Sequence, residues 1–171
     1  FYASKTPYQP KQDAANYEAV PEGFTTVMIQ HVARHGSRGL SSPDDDDLSL
    51  QLWQQAKQEN ALTAKGEQFG ELLVRFRAAS QKLGYGNLSH LGELEHQQMA
   101  ERLIKRHQAF FEQAFAEQRR ITVEHSGRDR ADDSGVHFVK RFTELLPQAT
   151  ALLDTPQVSH QTLYFHKAEG A

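Results

Sequence analysis

The residues best suited to chemistry lie at positions 34–38, in the order Arg-His-Gly-Ser-Arg. Two arginines flank His35, and guanidinium groups bind oxyanions such as phosphate through paired hydrogen bonds. A neutral imidazole nitrogen can attack phosphorus and form a covalent intermediate. Gly36 lets the backbone approach a bound group closely, and we expect it to contact that group together with Ser37. The pattern therefore predicts a phosphate pocket in which His35 is the nucleophile and Arg34 and Arg38 hold the anion.

An apolar, β-branched run at residues 24–29 leads directly into this stretch. The run predicts a buried strand over residues 24–33 that ends at the site. In open α/β sheets, ligands bind beyond the carboxyl ends of the strands. The candidate pocket is therefore expected at such a strand end.

A second polar cluster follows the segment Ile121 to His125, which predicts another strand. Arg128, Arg130 and Ser134 lie where this strand gives way to a helix, which Asp133 or Ser134 could cap and which Pro147 ends. His125, at the strand end, is a candidate to line the pocket. Residues 158–166 alternate loosely and predict a third strand.

Helices are predicted between these strands. Residues 41–47 combine serines, a proline and four aspartates, which is typical of a helix start. Residues 62–67 and 88–93 share the pattern Leu-[Ser/Thr]-x-x-Gly-Glu, so Thr63 and Ser89 are predicted N-caps. Apolar residues then recur at helical spacing, at Phe69, Leu72, Leu73 and Phe76 in the first helix and between Met99 and Phe115 in a longer second one. The order of elements predicts an α/β fold.

Composition limits the class of protein. The 171 residues are enough for one domain with a core, and 38% of them are hydrophobic. A net charge of −3 gives no indication of a nucleic-acid partner, and no apolar run is long enough to span a membrane. The absence of cysteine excludes disulfides and thiolate chemistry.

Two features of the sequence could suggest a metal site, but each lacks residues that such a site needs. His31 and His35 form an HxxxH pair, but a zinc pair of this kind needs a helix and an adjacent glutamate, whereas the neighbour here is Val32 in a predicted strand. The acidic residues 44–47 lack the alternating spacing and the glycine of a calcium loop. No metal ligand is therefore predicted.

The stretch Arg34-His35-Gly36-Ser37-Arg38 resembles the RHGxR signature of the histidine phosphatase superfamily. The second arginine makes it similar to the acid phosphatase and phytase branch, although Leu40 stands where that branch usually has proline. Residues 130–138 resemble the family stretch RxxxSAxxF, which implies that Arg130 is a third phosphate ligand. Arg128 is then a surface residue or a supporting contact to the substrate.

Two further stretches resemble the multiple inositol polyphosphate phosphatases within this branch. They are residues 4–8, Ser-Lys-Thr-Pro-Tyr, and residues 84–96, which run from Gly84 to His96. The resemblance implies a histidine phosphatase-like sheet flanked by helices, with residues 1–23 as an irregular arm and about 41–118 as a mainly helical insertion. It also implies a periplasmic or secreted protein, because members of this subgroup enter a secretory route.

The implied activity is hydrolysis of phosphomonoesters through a phosphohistidine on His35, with no metal or organic cofactor. Inositol polyphosphates such as phytate are the expected small-molecule substrates; a broad-specificity acid phosphatase is the alternative. Members of the branch also carry a late His-Ala-Glu or His-Asp motif that supplies the general acid. Residues 166–169, His-Lys-Ala-Glu, only approximate it. We therefore expect the 171 residues to be the N-terminal portion of a longer domain, and a phosphate-binding module without turnover stays open as a further alternative.

Overall fold

The computed structural model describes residues 7–164, in which helices dominate. Two short strands, β1 (Glu124–His125) and β2 (Gln157–Val158), pair in parallel, and an isolated parallel bridge joins Ile121 to Leu153. The fold is therefore helix-rich with a small parallel sheet. The helices are α1 (Asp44–Gln58), α2 (Ala64–Leu83), α3 (His90–Arg106), α4 (Gln108–Ala116), α5 (Asp129–Leu145) and α6 (His160–Leu163), with 3-10 turns at Ala14–Asn16 and Pro147–Leu152.

The core lies where α3 and α5, the most extensively paired helices, meet α4 and the second 3-10 turn. Phe111 of α4 meets Phe142 of α5 edge to face, with ring centroids 5.2 Å apart. Burial of these side chains supplies the main driving force that holds α5, and the residues at its N-terminus, against α3. The buried residues of this cluster are Ala100, Phe111, Phe115, Phe142, Ala149 and Leu152.

The structure confirms two of the predicted helix caps. The hydroxyl of Thr63 accepts a hydrogen bond from the amide of Gly66 at 3.1 Å, and Ser89 does the same for Gly92 at 3.3 Å. The cap predicted at Asp133 or Ser134 is wrong, because α5 already begins at Asp129 and Arg128 occupies the N-cap position.

The start of α1 also differs in detail from the prediction. Pro43 occupies the N-cap position instead of the first helical position, and no side chain caps the helix. The hydroxyl of Ser42, one position before the N-cap, donates to the carboxylate of Asp44 at 2.8 Å. The four aspartates do lie in the first turn, where the helix dipole favours negative charge.

The predicted buried strand at residues 24–33 is wrong. Within residues 7–164, positions 25–33 make no backbone–backbone hydrogen bond to another segment. Phe24, Val27, Met28 and Val32 are each more than 70% exposed. A β-branched run favours an extended backbone, but a strand also needs a neighbour to pair with, and the described chain places none beside this segment.

The other strand predictions are right only in part. Of residues 121–125, only Glu124–His125 form a strand, and Val158 pairs in β2 before the chain turns into α6. The strand predicted over 158–166 is therefore wrong beyond Val158, and its last two residues lie outside the described range.

The predicted helices are also less regular than expected. A break at His107 separates α3 from α4, so the longer helix is in fact two. In α2, Leu73 is buried, whereas Phe69, Leu72 and Phe76 are about half exposed. Periodicity predicts which residues share a face, but not whether anything covers that face. No helix within residues 7–164 combines the length and the hydropathy that a membrane span requires.

Candidate active site

The loop that carries Arg34 to Arg38 is fixed by backbone pairing with the turn before α3. The amide of Ser89 donates to the carbonyl of Ser37 at 2.9 Å, and the amide of Gly86 donates to the carbonyl of Leu40 at 2.6 Å. Positive φ angles at Gly84 (86°) and Gly86 (81°) shape this turn, and glycine adopts such angles without steric cost. The loop is therefore held by an adjacent turn instead of by the expected strand.

The first turn of α3 packs directly on the loop, backbone against backbone. A Cβ atom added to Gly36 would lie 2.5 Å from the carbonyl oxygen of Gly92. A Cβ atom added to Gly92 would lie 2.4 Å from the carbonyl oxygen of Ser37. Only two glycines permit this approach, so Gly36 serves here to bring the loop onto α3.

Ser134 connects the loop to α5. Its hydroxyl accepts a hydrogen bond from the amide of Gly36 at 3.1 Å and donates one to the carbonyl of Arg130 at 2.7 Å. Ser134 is almost completely buried, so both bonds are shielded from water. Through this one hydroxyl, the first turn of α5 places Arg130 beside the loop of His35.

His35 is half-buried, and its surroundings favour the neutral ring. Burial lowers its pKa most, and the positive charges of Arg130, Arg34 and Arg38 lower it further, against the hydrogen bond to Gly36, which raises it. The Nδ1 atom lies 2.8 Å from the carbonyl oxygen of Gly36. A carbonyl only accepts, so Nδ1 must carry the proton. The lone pair of the neutral ring is then on Nε2, which is the nitrogen free to act as a nucleophile.

The three arginines form a region of concentrated positive charge. Partial burial, and then the charges of Arg130 and Arg34, lower the pKa of Arg38. The Nε atom of Arg130 is buried and has no hydrogen-bond partner within residues 7–164. Buried donors normally have an acceptor. An oxyanion bound between these guanidiniums would provide one and would offset their mutual repulsion.

A cleft of about 1010 Å³, here called the main cleft, opens beside these groups. Arg34, His35, His125, Arg128 and Arg130 all line it. Five of the eight predicted site residues, from two distant parts of the sequence, therefore converge on a single cavity.

The two predicted substrate ligands from α5 and β1 differ in how strongly they are engaged. The Nδ1 atom of His125 is buried without a hydrogen-bond partner within residues 7–164, and its Nε2 atom lies 3.7 Å from Asp132. Arg128 instead donates two hydrogen bonds, at 3.0 and 2.7 Å, to the hydroxyl of Tyr164. His125 thus lines the cleft with one ring nitrogen buried and unpaired among residues 7–164, whereas Arg128 lines it while bonded to an aromatic neighbour.

Three of the predicted site residues do not line the main cleft: Gly36, Ser37 and Arg38. The Gly36 amide is already bonded to Ser134, and the Ser37 hydroxyl donates to the carboxylate of Glu95 at 3.2 Å. Arg38 donates to the carbonyl of Gly39 at 2.7 Å while remaining within electrostatic range of His35.

The sequence interpretation missed two buried residues of α3 that contact the loop, Glu95 and His96. Burial lowers the pKa of His96, which the adjacent backbone of Arg34 partly opposes, and its Nε2 atom has no hydrogen-bond partner among residues 7–164. The only sequence signal was that both residues fall within the stretch that resembles one subgroup. His31 of the HxxxH pair stacks on Phe138, and among residues 7–164 no three His, Cys, Asp or Glu side chains are grouped so as to hold a metal ion.

The chain was compared with known families and structures. A family model described as the histidine phosphatase superfamily (branch 2) matches residues 27–169. A comparison with curated protein sequences found no significant match.

Three crystal structures of the multiple inositol polyphosphate phosphatase of Bifidobacterium longum are similar to this chain. The complex with inositol hexasulfate is 31% identical with a TM-score of 0.86, and the match covers 98% of this chain and 39% of that one. The phosphate complex gives 31% and 0.88, and the apo form 30% and 0.89, each covering 98% of this chain and 38% of that one. This chain therefore spans about two fifths of the length of those proteins. By its sequence and its fold, the chain belongs to the histidine phosphatase superfamily, branch 2.

Proposed function

We propose that the protein hydrolyses phosphomonoesters through a phosphohistidine on His35. The observation that carries this proposal is the convergence on His35 of three arginines from two parts of the chain. Burial lowers the pKa of His35 most, and the charges of these arginines lower it further. The neutral ring is the nucleophilic form, and the same arginines can bind the phosphoryl group. Arg34, Arg38 and Arg130 would stabilise the charge that develops on the transferring oxygens.

The reaction proceeds in two displacements. Nε2 of His35 attacks phosphorus, an N–P bond forms, and the bond from phosphorus to the alcohol oxygen breaks as that oxygen takes up a proton from a general acid or from solvent. Water then attacks phosphorus and returns one proton to that acid or to solvent, the N–P bond breaks, and phosphate leaves with His35 restored. Neither step requires a change of oxidation state or a cofactor, and the roles of the arginines are the same in both.

Inositol polyphosphates, such as phytate, are the proposed substrate class. The structurally similar phosphatase from Bifidobacterium longum carries that substrate class in its name and is known in complex with inositol hexasulfate. The main cleft, at about 1010 Å³, is as large as the pockets that bind small molecules, and Arg128 and His125 line it together with Arg34 and Arg130. These two side chains are proposed contacts for further phosphate groups of the same substrate.

We also propose export to the periplasm or out of the cell, which the likeness of residues 4–8 to an exported subgroup supports. Detection of the protein in a periplasmic or culture fraction, against a cytoplasmic marker, would test this. Residues 4–6 of this stretch lie outside the described range. The stretch at 166–169, which approximates the general-acid motif of the family, lies outside it as well.

The decisive test of the activity is His35→Ala in the longest natural form of the protein, assayed for release of phosphate from phytate. Loss of the nucleophile should lower kcat at least about 1000-fold. His90→Ala is the matched control, because His90 is an exposed histidine on α3 whose one side-chain partner within residues 7–164 is Glu93. Near-normal turnover by His35→Ala would reject the mechanism. Equal kcat/KM values for phytate and p-nitrophenyl phosphate would instead indicate a broad-specificity acid phosphatase.

A further inference from the structure

A buried carboxylate lies directly behind the His35 loop. Glu95, in the second turn of α3, is only 5% exposed. Its Oε2 atom accepts a hydrogen bond from the amide of Ser37 at 2.7 Å. Its Oε1 atom accepts one from the Ser37 hydroxyl at 3.2 Å and one from the amide of Tyr8 at 2.7 Å. One side chain therefore binds both the loop and a segment 29 positions before it, here called the N-terminal arm (residues 7–11).

The three groups that face Glu95 are all donors, and this requires a side chain with two acceptor oxygens. A carboxylate satisfies all three, and hydrogen bonds to an ionised acceptor are shorter and stronger than neutral ones, which agrees with the two distances of 2.7 Å. A glutamine has the same shape but only one acceptor. Its NH2 group would face an amide N–H on one side, which leaves a buried donor unsatisfied.

The position of Ser37 makes this contact important for the chemistry. Ser37 lies between the nucleophile and Arg38, and its carbonyl oxygen accepts from both the amide and the hydroxyl of Ser89, each at 2.9 Å. With Glu95 on its amide, both peptide groups of Ser37 are held by residues at the start of α3. The directions in which His35 and Arg38 leave the backbone are thereby fixed.

The arm that Glu95 also holds forms one wall of a second cavity. This arm cavity, of about 530 Å³, is lined by Tyr8 and Lys11 on one side and by Arg34 and His35 on the other. We propose that Glu95 is a positioning residue: it sets the orientation of the His35 loop and fastens the N-terminal arm beside it. The inference rests on the proposed phosphatase function, and it assigns to a residue outside the substrate cleft a role in the rate of the chemical step.

The test compares Glu95→Gln with Glu93→Gln in the longest natural form of the protein. Glu93 lies on the same helix, pairs with His90 and His137, and makes no hydrogen bond or ion pair to the His35 loop within residues 7–164. A displacement of about 1 Å at a reacting group can cost about 100-fold in rate. We expect Glu95→Gln to lower kcat by about 10- to 100-fold while KM changes less than about threefold, because the arginines that bind phosphate remain. Glu93→Gln should match the wild type.

Glu95→Asp provides the rescue. It keeps both acceptors on a shorter side chain, so part of the lost kcat should return. If Glu95→Gln does not fold, Ser37→Ala takes its place as the test variant. It removes the 3.2 Å hydrogen bond from the Ser37 hydroxyl to Glu95 and keeps the bond from the Ser37 amide. It should lower kcat by a smaller factor without affecting the arm. Unchanged kcat in Glu95→Gln, or in Ser37→Ala where that variant is needed, would overturn the inference. So would a kcat of Glu95→Asp no higher than that of Glu95→Gln.

Hydrogen exchange separates this inference from the proposed function. The amides of Tyr8 and Ser37 should exchange faster in Glu95→Gln than in the wild type, whereas those in the middle of α3 should not. If the wild type releases no phosphate but the Tyr8 and Ser37 amides lose protection in Glu95→Gln, the proposed function fails, and the role of Glu95 in holding the loop and the arm is supported. If the wild type is active and neither amide changes, the inference about Glu95 fails alone.

Discussion

The amide of Gly36 donates a 3.1 Å hydrogen bond to the hydroxyl of Ser134, although 98 positions separate the two residues. Ser134 passes the connection on to the carbonyl of Arg130 at 2.7 Å. The loop of the proposed nucleophile and the helix that carries the third arginine are therefore joined through a single buried oxygen. This bond has consequences that can be measured separately from turnover.

Ser134→Ala should weaken both the fold and the site. The buried amide of Gly36 would lose its acceptor, which costs about 1–3 kcal/mol in the free energy of unfolding. Arg130 would also lose its tie to the loop, so the KM for phytate should rise. Urea denaturation and steady-state kinetics measure the two effects. Thr143→Val is the control, because within the described residues the Thr143 hydroxyl bonds to backbone carbonyls of its own helix and to no other segment. Equal stability of Ser134→Ala and the wild type would contradict the account.

Two glycines should respond in opposite ways to alanine. A Cβ atom at Gly92 would meet the backbone of Ser37 at 2.4 Å, and backbone cannot move aside cheaply, so Gly92→Ala should lose about 1–3 kcal/mol of stability and displace the loop. Gly135 lies within α5, and a Cβ atom there would meet nothing within 4 Å. Gly135→Ala should gain about 0.5–1 kcal/mol, because alanine favours the helix. Thermal unfolding of both variants measures these changes. A Gly135→Ala variant less stable than the wild type would contradict the open space described beside Gly135.

Much of the candidate site could be predicted because its signals are local. The chemistry of Arg34, His35 and Arg38 follows from their residue types and their short spacing in the sequence. The caps at Thr63 and Ser89 depend on residues only three positions away. The prediction that Arg130 joins this site came from a family resemblance, and the main cleft does bring it beside His35 and Arg34.

What failed depends on contacts between distant residues. A strand at residues 24–33 needs a partner that the described chain does not provide, so composition alone was misleading there. The local pattern at Ser134 favours a helix cap, because no local signal reveals an acceptor for Gly36 across 98 positions. Glu95 is one of 22 acidic residues in the sequence, and only its burial against the Tyr8 and Ser37 amides distinguishes it.

Removal of one arginine should raise the pKa of His35. Burial remains the main cause of the lowered value, but the charges of Arg130, Arg34 and Arg38 each contribute. In Arg38→Met, one of these charges is gone, so the ring should take up its proton at a higher pH than in the wild type. Nitrogen-detected NMR titration of the histidines measures this pKa. Arg75→Met, on α2, should leave the pKa of His35 unchanged. A His35 pKa that does not rise in Arg38→Met would refute the claim that the charge of Arg38 acts on His35.

The same shift predicts how stability depends on pH. The pKa of His35 is lower in the folded protein than the ordinary value of 6.5, and the pKa of buried His96 is lowered as well. The unfolded chain therefore binds more protons as the pH falls, so the contribution of both residues is complete above about pH 6.5 and is lost as the pH falls through the lowered values. His96→Gln should flatten this dependence in urea denaturation between pH 7 and pH 5. A slope as steep as that of the wild type would exclude His96 as a cause.

The account depends most directly on a covalent phosphoryl group at His35. Rapid acid-free quenching of the longest natural form during turnover of phytate, followed by peptide mass spectrometry, should find phosphate on the peptide that contains His35 and on no other histidine. Phosphorus NMR of the trapped protein should identify Nε2 as the bonded nitrogen, because Nδ1 is committed to the carbonyl of Gly36. Turnover without label on His35, or label on Nδ1 or on a different residue, would contradict the mechanism.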